Sequence, residues 1–213
     1  PLNVVLFSQR KVMANQFYEI DKNENIRVIV LRADGDNFSS GGNISGFLEE
    51  TPEDLSMLAQ NVMMPEKIKK PVIAAIQGYC FGVGFEFCLA CDFRIVEEGV
   101  KFCQPEIDLN LTTGLGGTSR LARLIGPTKA AELIFLGSEF SAEYIHELKG
   151  INEIVKRGNS LESSIELADK LSKKPKDALS LLKKILIDSL EIPLTRCLLY
   201  TSPTPRDACA SGL

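Results

Sequence analysis

A chain of 213 residues, 45% hydrophobic and 24% charged, is long enough to bury a sizeable core and too ordinary in composition for a disordered or fibrous protein. Its formal net charge of −4 argues against nucleic acid as the main partner, because phosphate binding concentrates Lys and Arg, and no apolar run reaches the length of a membrane span. A single histidine, His146, leaves little from which to build a zinc or iron site, so no metal is expected.

The chain opens at Pro1, without Met, and is read as N-terminally truncated, which leaves an organellar targeting segment open, while cysteines that read as reduced core residues favour a reducing, cytoplasmic compartment. Residues 3–20 place Val4, Val5, Val12, Phe17 and Ile20 on a helical spacing and predict a helix, ended by the polar cluster Asp21 to Asn25. IRVIVLRA (26–33) is short and β-branched, as buried strands are, and DGDN (34–37) turns the chain. In FSSGGNI (38–44) the glycine pair allows backbone conformations that aim amide N–H groups at a ligand, although Gly-Gly alone is more often a surface turn. Residues 46–65 are expected to form a helix and a polar linker, suited to a lid beside a substrate mouth.

KPVIAAIQG (70–78) predicts a second buried strand, with Pro71 at its start where a missing N–H does least harm. Gly82 and Gly84 then break the chain, and EFCLACD (86–92) predicts a buried helix whose positive end would face the glycine turn. FRIV (93–96) is a third strand, and VKFCQPE (100–106) follows a turn at Glu98-Gly99. Glu86 and Glu106 thus stand in apolar surroundings, where an ionised carboxylate is costly and its pKa is easily moved. That suits acid–base chemistry, although a cap or surface ion pair would serve two glutamates equally well on these residues alone. Cys80, Cys88, Cys91 and Cys103 lie in apolar segments and read as reduced core residues; the Cys88-x-x-Cys91 pair has no second pair at metal-site spacing.

Segment 108–126 carries Gly114, Gly116 and Gly117 before a helix start at Thr118, a spacing that fits neither a P-loop nor a dinucleotide fingerprint. Residues 127–196 read as largely helical, each helix with a polar face and a 3.6-residue period. The stretch 197–213 (CLLYTSPTPRDACASGL) breaks that pattern and is expected to be a non-native tail. The chain therefore divides into an expected catalytic core (1–126), a helical region (127–196) and that tail.

Taken in order, Ser40-Gly41-Gly42-Asn43-Ile44, Gly82-Val83-Gly84-Phe85-Glu86-Phe87 and Phe102-Cys103-Gln104-Pro105-Glu106 resemble the A-G-A-D-(I/L), G-G-G-x-E-L and F-G-Q-P-E patterns of the enoyl-CoA hydratase/isomerase (crotonase) superfamily. The resemblance implies an α/β fold, a ββα spiral core with a C-terminal helical oligomerisation region, assembled as a homotrimer or a dimer of trimers. It implies an acyl-CoA substrate, coenzyme A being part of the substrate and no separate cofactor needed. The backbone N–H groups of Gly42 and Val83 would hold the thioester oxygen. Glu86 and Glu106 would be catalytic, Glu86 activating water and Glu106 delivering a proton. Ser40, Gly42, Asn43, Ile44, Gly114 and Gly117 would line the substrate.

Asn43, Val83 and Thr112-Thr113-Gly114 depart from the usual pattern and leave the acyl group open. For Thr112 and Thr113, local backbone bonding is the expected role and a hydroxyl beside the acyl chain the alternative. The activity implied is hydration of a 2-enoyl-CoA in fatty acid metabolism. Isomerisation or C–C hydrolysis of a cyclic acyl-CoA is the nearest alternative. A serine hydrolase using Ser39 or Ser40 with His146 as base, and a non-enzymatic scaffold or RNA-binding subunit, are remote ones.

Overall fold

The computed structural model describes residues 2–48 and 50–190. The first helix, α1 (Phe7–Lys22), begins later than the apolar spacing predicts, and it buries Phe7, Arg10, Ala14 and Phe17 while Val12 stays exposed. Val5 is taken instead by an isolated parallel bridge to Gly42. Hydrogen-bonding competition explains the shift: Val5 N–H donates to Gly41 O at 2.9 Å and Val5 O accepts from Asn43 N–H at 3.2 Å, so the segment is extended before the helix starts.

Strand β1 (Ile29–Leu31) is followed by a 3₁₀ turn at Ser45–Leu48 and by two helices where one was expected, α2 (Pro52–Val62) and α3 (Met64–Lys67). Thr51 caps α2 by accepting from Asp54 N–H, and Pro65 starts a helix rather than ending a linker, because its missing N–H costs nothing in a first turn. Then come β2 (Val72–Ile76), β3 (Tyr79–Phe81), α4 (Val83–Ala90), β4 (Phe93–Glu97) and β5 (Lys101–Cys103). A 3₁₀ turn at Pro105–Leu109 leads to α5 (Gly117–Ile125) and α6 (Pro127–Leu136).

Beyond it the chain is less uniformly helical than its period suggests. It runs β6 (Phe140–Ser141), α7 (Ala142–Glu147), β7 (Glu153–Val155), α8 (Ser160–Ser172) and α9 (Lys176–Asp188). The segment 197–213 lies outside the described residues.

Among the described residues two sheets form, a parallel one ordered β1-β2-β4-β7 and a smaller one ordered β3-β5-β6. Each successive pair, β2 with β3 and β4 with β5, gives one strand to each sheet before a helix returns the chain, which is the ββα spiral. All five residues of β2 are buried. Alternation sends Val72, Ala74 and Ile76 to the main core and Ile73 to the opposite face, against Ile95, Val155 and the α8 residues Leu167, Ala168 and Leu171. The register sets Ile73 between Val30 and Phe93.

Candidate active site

Five segments far apart in sequence meet at one cavity of about 300 Å³, whose walls include Arg10, Gly42, Leu58, Val83, Glu86, Glu106 and Leu115. The loop at 39–43 is held against β3 by Ser39 N–H to Tyr79 O and Phe81 N–H to Ser39 O, both 2.9 Å. Val83 is the first residue of α4, so its N–H has no partner within the helix. The expected start at Glu86 is therefore three residues late. Gly82 makes the sharp entry possible with φ 49° and ψ −124°, a conformation that side chains resist. A Cβ there would also stand 2.8 Å from Glu106 Oε1.

Gly42 belongs to the bridge with Val5, but the bonds are made by its neighbours Gly41 O and Asn43 N–H, which leaves its own N–H outside the pairing. The Gly42 Cα and the Val83 side chain are neighbours: a Cβ on Gly42 would sit 3.7 Å from Val83 Cγ1. Both residues line the same cavity.

Glu86 is 2% exposed. Its Oε1 accepts from Leu115 N–H at 3.0 Å and Gly117 N–H at 2.9 Å. Burial pushes its pKa above the ordinary carboxylate value, while those two amides and the charges of Arg120 and Arg10 oppose the shift. Gly117 is needed because a Cβ would stand 2.9 Å from both Glu86 and Gln104. Arg120 fixes the same loop, pairing with Glu66 at 2.6 and 2.8 Å and donating to Leu115 O at 2.8 Å.

Glu106 follows the Pro105 that opens the 3₁₀ turn. Burial raises its pKa to about 7, with the Glu86 charge adding to the shift and a backbone hydrogen bond opposing it. Its Oε2 is buried with no hydrogen-bond partner among the described residues. One carboxylate is therefore held by amides, and the other is poised between its charged and neutral forms near pH 7, the division of labour that proton transfer requires.

Ser40, Gly42, Ile44 and Gly114 line the cavity with Val83, Glu86 and Glu106. Asn43 does not line it, and Gly117 acts through its bond to Glu86. Thr112 reaches the cavity, whereas Thr113 bonds locally, accepting from Thr118 N–H at 3.1 Å and meeting the Thr118 hydroxyl. Ser39 Oγ donates to Asn3 O at 2.8 Å and accepts from Gly41 N–H at 3.1 Å, and no hydrogen bond joins Ser39 or Ser40 to His146 among the described residues. A serine hydrolase site is not assembled there. A larger hollow of about 680 Å³, walled in part by Arg32, Gln77 and Lys101, includes neither catalytic candidate.

Sequence reasoning missed Arg10 and Arg120. Arg10 had a legible signal: it sits at the i+3 position of the face that buries Phe7, Ala14 and Phe17, where a charge is out of place. Burial lowers its pKa, and the charges of Glu86 and Glu50 raise it.

A family model described as enoyl-CoA hydratase/isomerase matches residues 3–201. The chain is 29% identical over 206 residues to a short-chain-enoyl-CoA hydratase of Clostridium acetobutylicum, covering 94% of this chain and 79% of the relative. It is 30% identical over 179 residues to a crotonyl-CoA hydratase of Syntrophomonas wolfei, covering 81% and 68%. An enoyl-CoA hydratase crystal structure from Bacillus anthracis superposes with a TM-score of 0.86 at 30% identity, over 94% of this chain and 80% of that one.

Proposed function

The chain belongs to the enoyl-CoA hydratase/isomerase family and is an enoyl-CoA hydratase-like enzyme; on that premise we propose that it adds water across the 2,3 double bond of a 2-enoyl-CoA thioester. The thioester oxygen accepts hydrogen bonds from Gly42 N–H and Val83 N–H, which stabilise the enolate-like oxygen that forms as C3 is attacked. Glu86 takes a proton from water as the water oxygen bonds to C3. Glu106 then delivers a proton to C2, and the pair exchanges protons with solvent to reset. The observation that carries the reading is the contrast between the carboxylates: Glu86 is bonded by two amides, and Glu106 has a pKa of about 7 and a buried oxygen without a partner. A carboxyl half neutral at physiological pH is able to donate, and both glutamates are needed for hydration, whereas isomerisation needs only proton transfer.

Assembly as a homotrimer or dimer of trimers is part of the same proposal, and Phe135 and Leu136 on α6 and Leu182 and Leu186 on α9 are exposed apolar residues suited to partner subunits. The activity is tested by following loss of the conjugated thioester absorbance on a panel of 2-enoyl-CoA substrates. Turnover with at least one is expected, and none with any overturns the reading. Glu106→Gln is expected to lower turnover by about 10²-fold or more while acyl-CoA still binds; unchanged turnover would remove Glu106 from the mechanism.

A further inference from the structure

Among the described residues of the cavity wall, Arg10 is the charged side chain that the hydration chemistry leaves without a task. It is 2% exposed, and its guanidinium lies 4.6 Å over the Phe7 ring. Nε is buried with no hydrogen-bond partner, and no ion pair to the group is found among the described residues. Glu86 and Glu50 influence it through space without bonding to it. An unpaired buried cation is expensive, and a guanidinium presents a planar fork of donors that matches a carboxylate.

The backbone is arranged around this group. A Cβ on Gly42 would overlap Arg10 Nη2, and the superfamily pattern carries alanine where this chain has Gly42, so the absence of a methyl group there makes room for the guanidinium. Arg10 consequently lies beside Gly42 and Val83, the residues proposed to hold the thioester oxygen, within a cavity of about 300 Å³ that suits a short acyl group.

We propose that Arg10 is a specificity determinant and that the preferred substrate is the mono-CoA thioester of a short dicarboxylic acid, its free carboxylate received by the Arg10 guanidinium. This rests on the proposed thioester site. The two ideas fail separately, because saturated thioesters cannot be hydrated and report on the acyl pocket alone.

The test is calorimetric binding of glutaryl-CoA and adipyl-CoA against butyryl-CoA and hexanoyl-CoA. Wild-type protein is expected to bind the better dicarboxylic thioester at least tenfold more tightly than the better monocarboxylic one, the range of a charge-assisted pair. In Arg10→Met that ratio should fall to within about threefold, and Arg10→Lys, which keeps the charge but loses the fork, should retain part of it. If Arg10 served only to tune Glu86, both classes would weaken together and the ratio would survive in Arg10→Met; that result, or equal wild-type affinities, overturns the proposal. Should Arg10→Met fail to fold, the wild-type ratio and Arg10→Lys decide. A tenfold wild-type preference that Arg10→Met abolishes, with no hydration of any enoyl-CoA, would reject the hydratase reading and leave anion recognition standing.

Discussion

A carboxyl with a folded pKa of about 7 and an unfolded value near 4.3 binds more protons in the folded state throughout that interval. Stability must therefore fall as pH rises through the window, and the cost of the ionised Glu106 is fully present above it. Glu106→Gln removes this dependence. It is expected to gain on the wild type by about 1 kcal/mol between pH 5 and pH 8, after discounting for solvent at a half-buried group, and urea unfolding at the two pH values measures it. A gap that stays constant with pH would show that Glu106 is not held protonated by the fold. The catalytic sign runs the same way, because proton delivery needs the neutral acid: turnover limited by that step should decline as pH rises through about 7.

At the scale of elements, α4 and its entry govern the site. All eight residues of α4 are buried, so the helix has no polar face, and periodicity does not announce where it begins. The glutamates were legible because their motif neighbours are distinctive; the position of Val83 at the helix start was not, because Gly82-Val83-Gly84 reads as a flexible turn by propensity. Gly82→Ala forces a side chain into φ 49° and against Glu106 Oε1. A loss of roughly 1–3 kcal/mol is expected from backbone strain alone, read as a lower melting temperature, and turnover should drop because Val83 N–H is re-aimed. The strands β6 and β7 escaped notice for a different reason: two or three residues carry too little pattern to stand out among helices, and pairing with β5 and β4 decides them.

Across the whole molecule, the last described helix, α9, is tied to the core by a buried cation. Lys183 on α9 donates to Pro65 O at 2.5 Å, Lys70 O at 2.9 Å and Asp92 Oδ2 at 2.8 Å, and Asp92 in turn accepts from Val72 N–H at 2.8 Å. Lys183→Met leaves Asp92 without its cation, and a loss of about 3 kcal/mol is expected, with α9 becoming the first site of limited proteolysis. A melting temperature within a degree of wild type would mean that the apolar contacts of α9 hold it unaided. For assembly, sedimentation equilibrium is expected to return three or six chains, and Leu186→Glu, at a position 68% exposed, should shift the distribution toward the monomer. A wild-type monomer at micromolar concentration would exclude the proposed trimer.

The sequence by itself determined the composition class, buried strands within 70–78 and at 93–96 that the fold sets at Val72–Ile76 and Phe93–Glu97, and the ordered motifs on which the proposed roles of Gly42, Val83, Glu86 and Glu106 rest. Those are local properties: side-chain type, β-branching and glycine placement act within a few residues. Tertiary structure decided which amides bond Glu86, how far Glu106 is desolvated, and that Arg10 from the first helix reaches the same cavity. Such properties depend on distances between segments remote in the chain and on the removal of water between them, and neither quantity is written in any single stretch of residues.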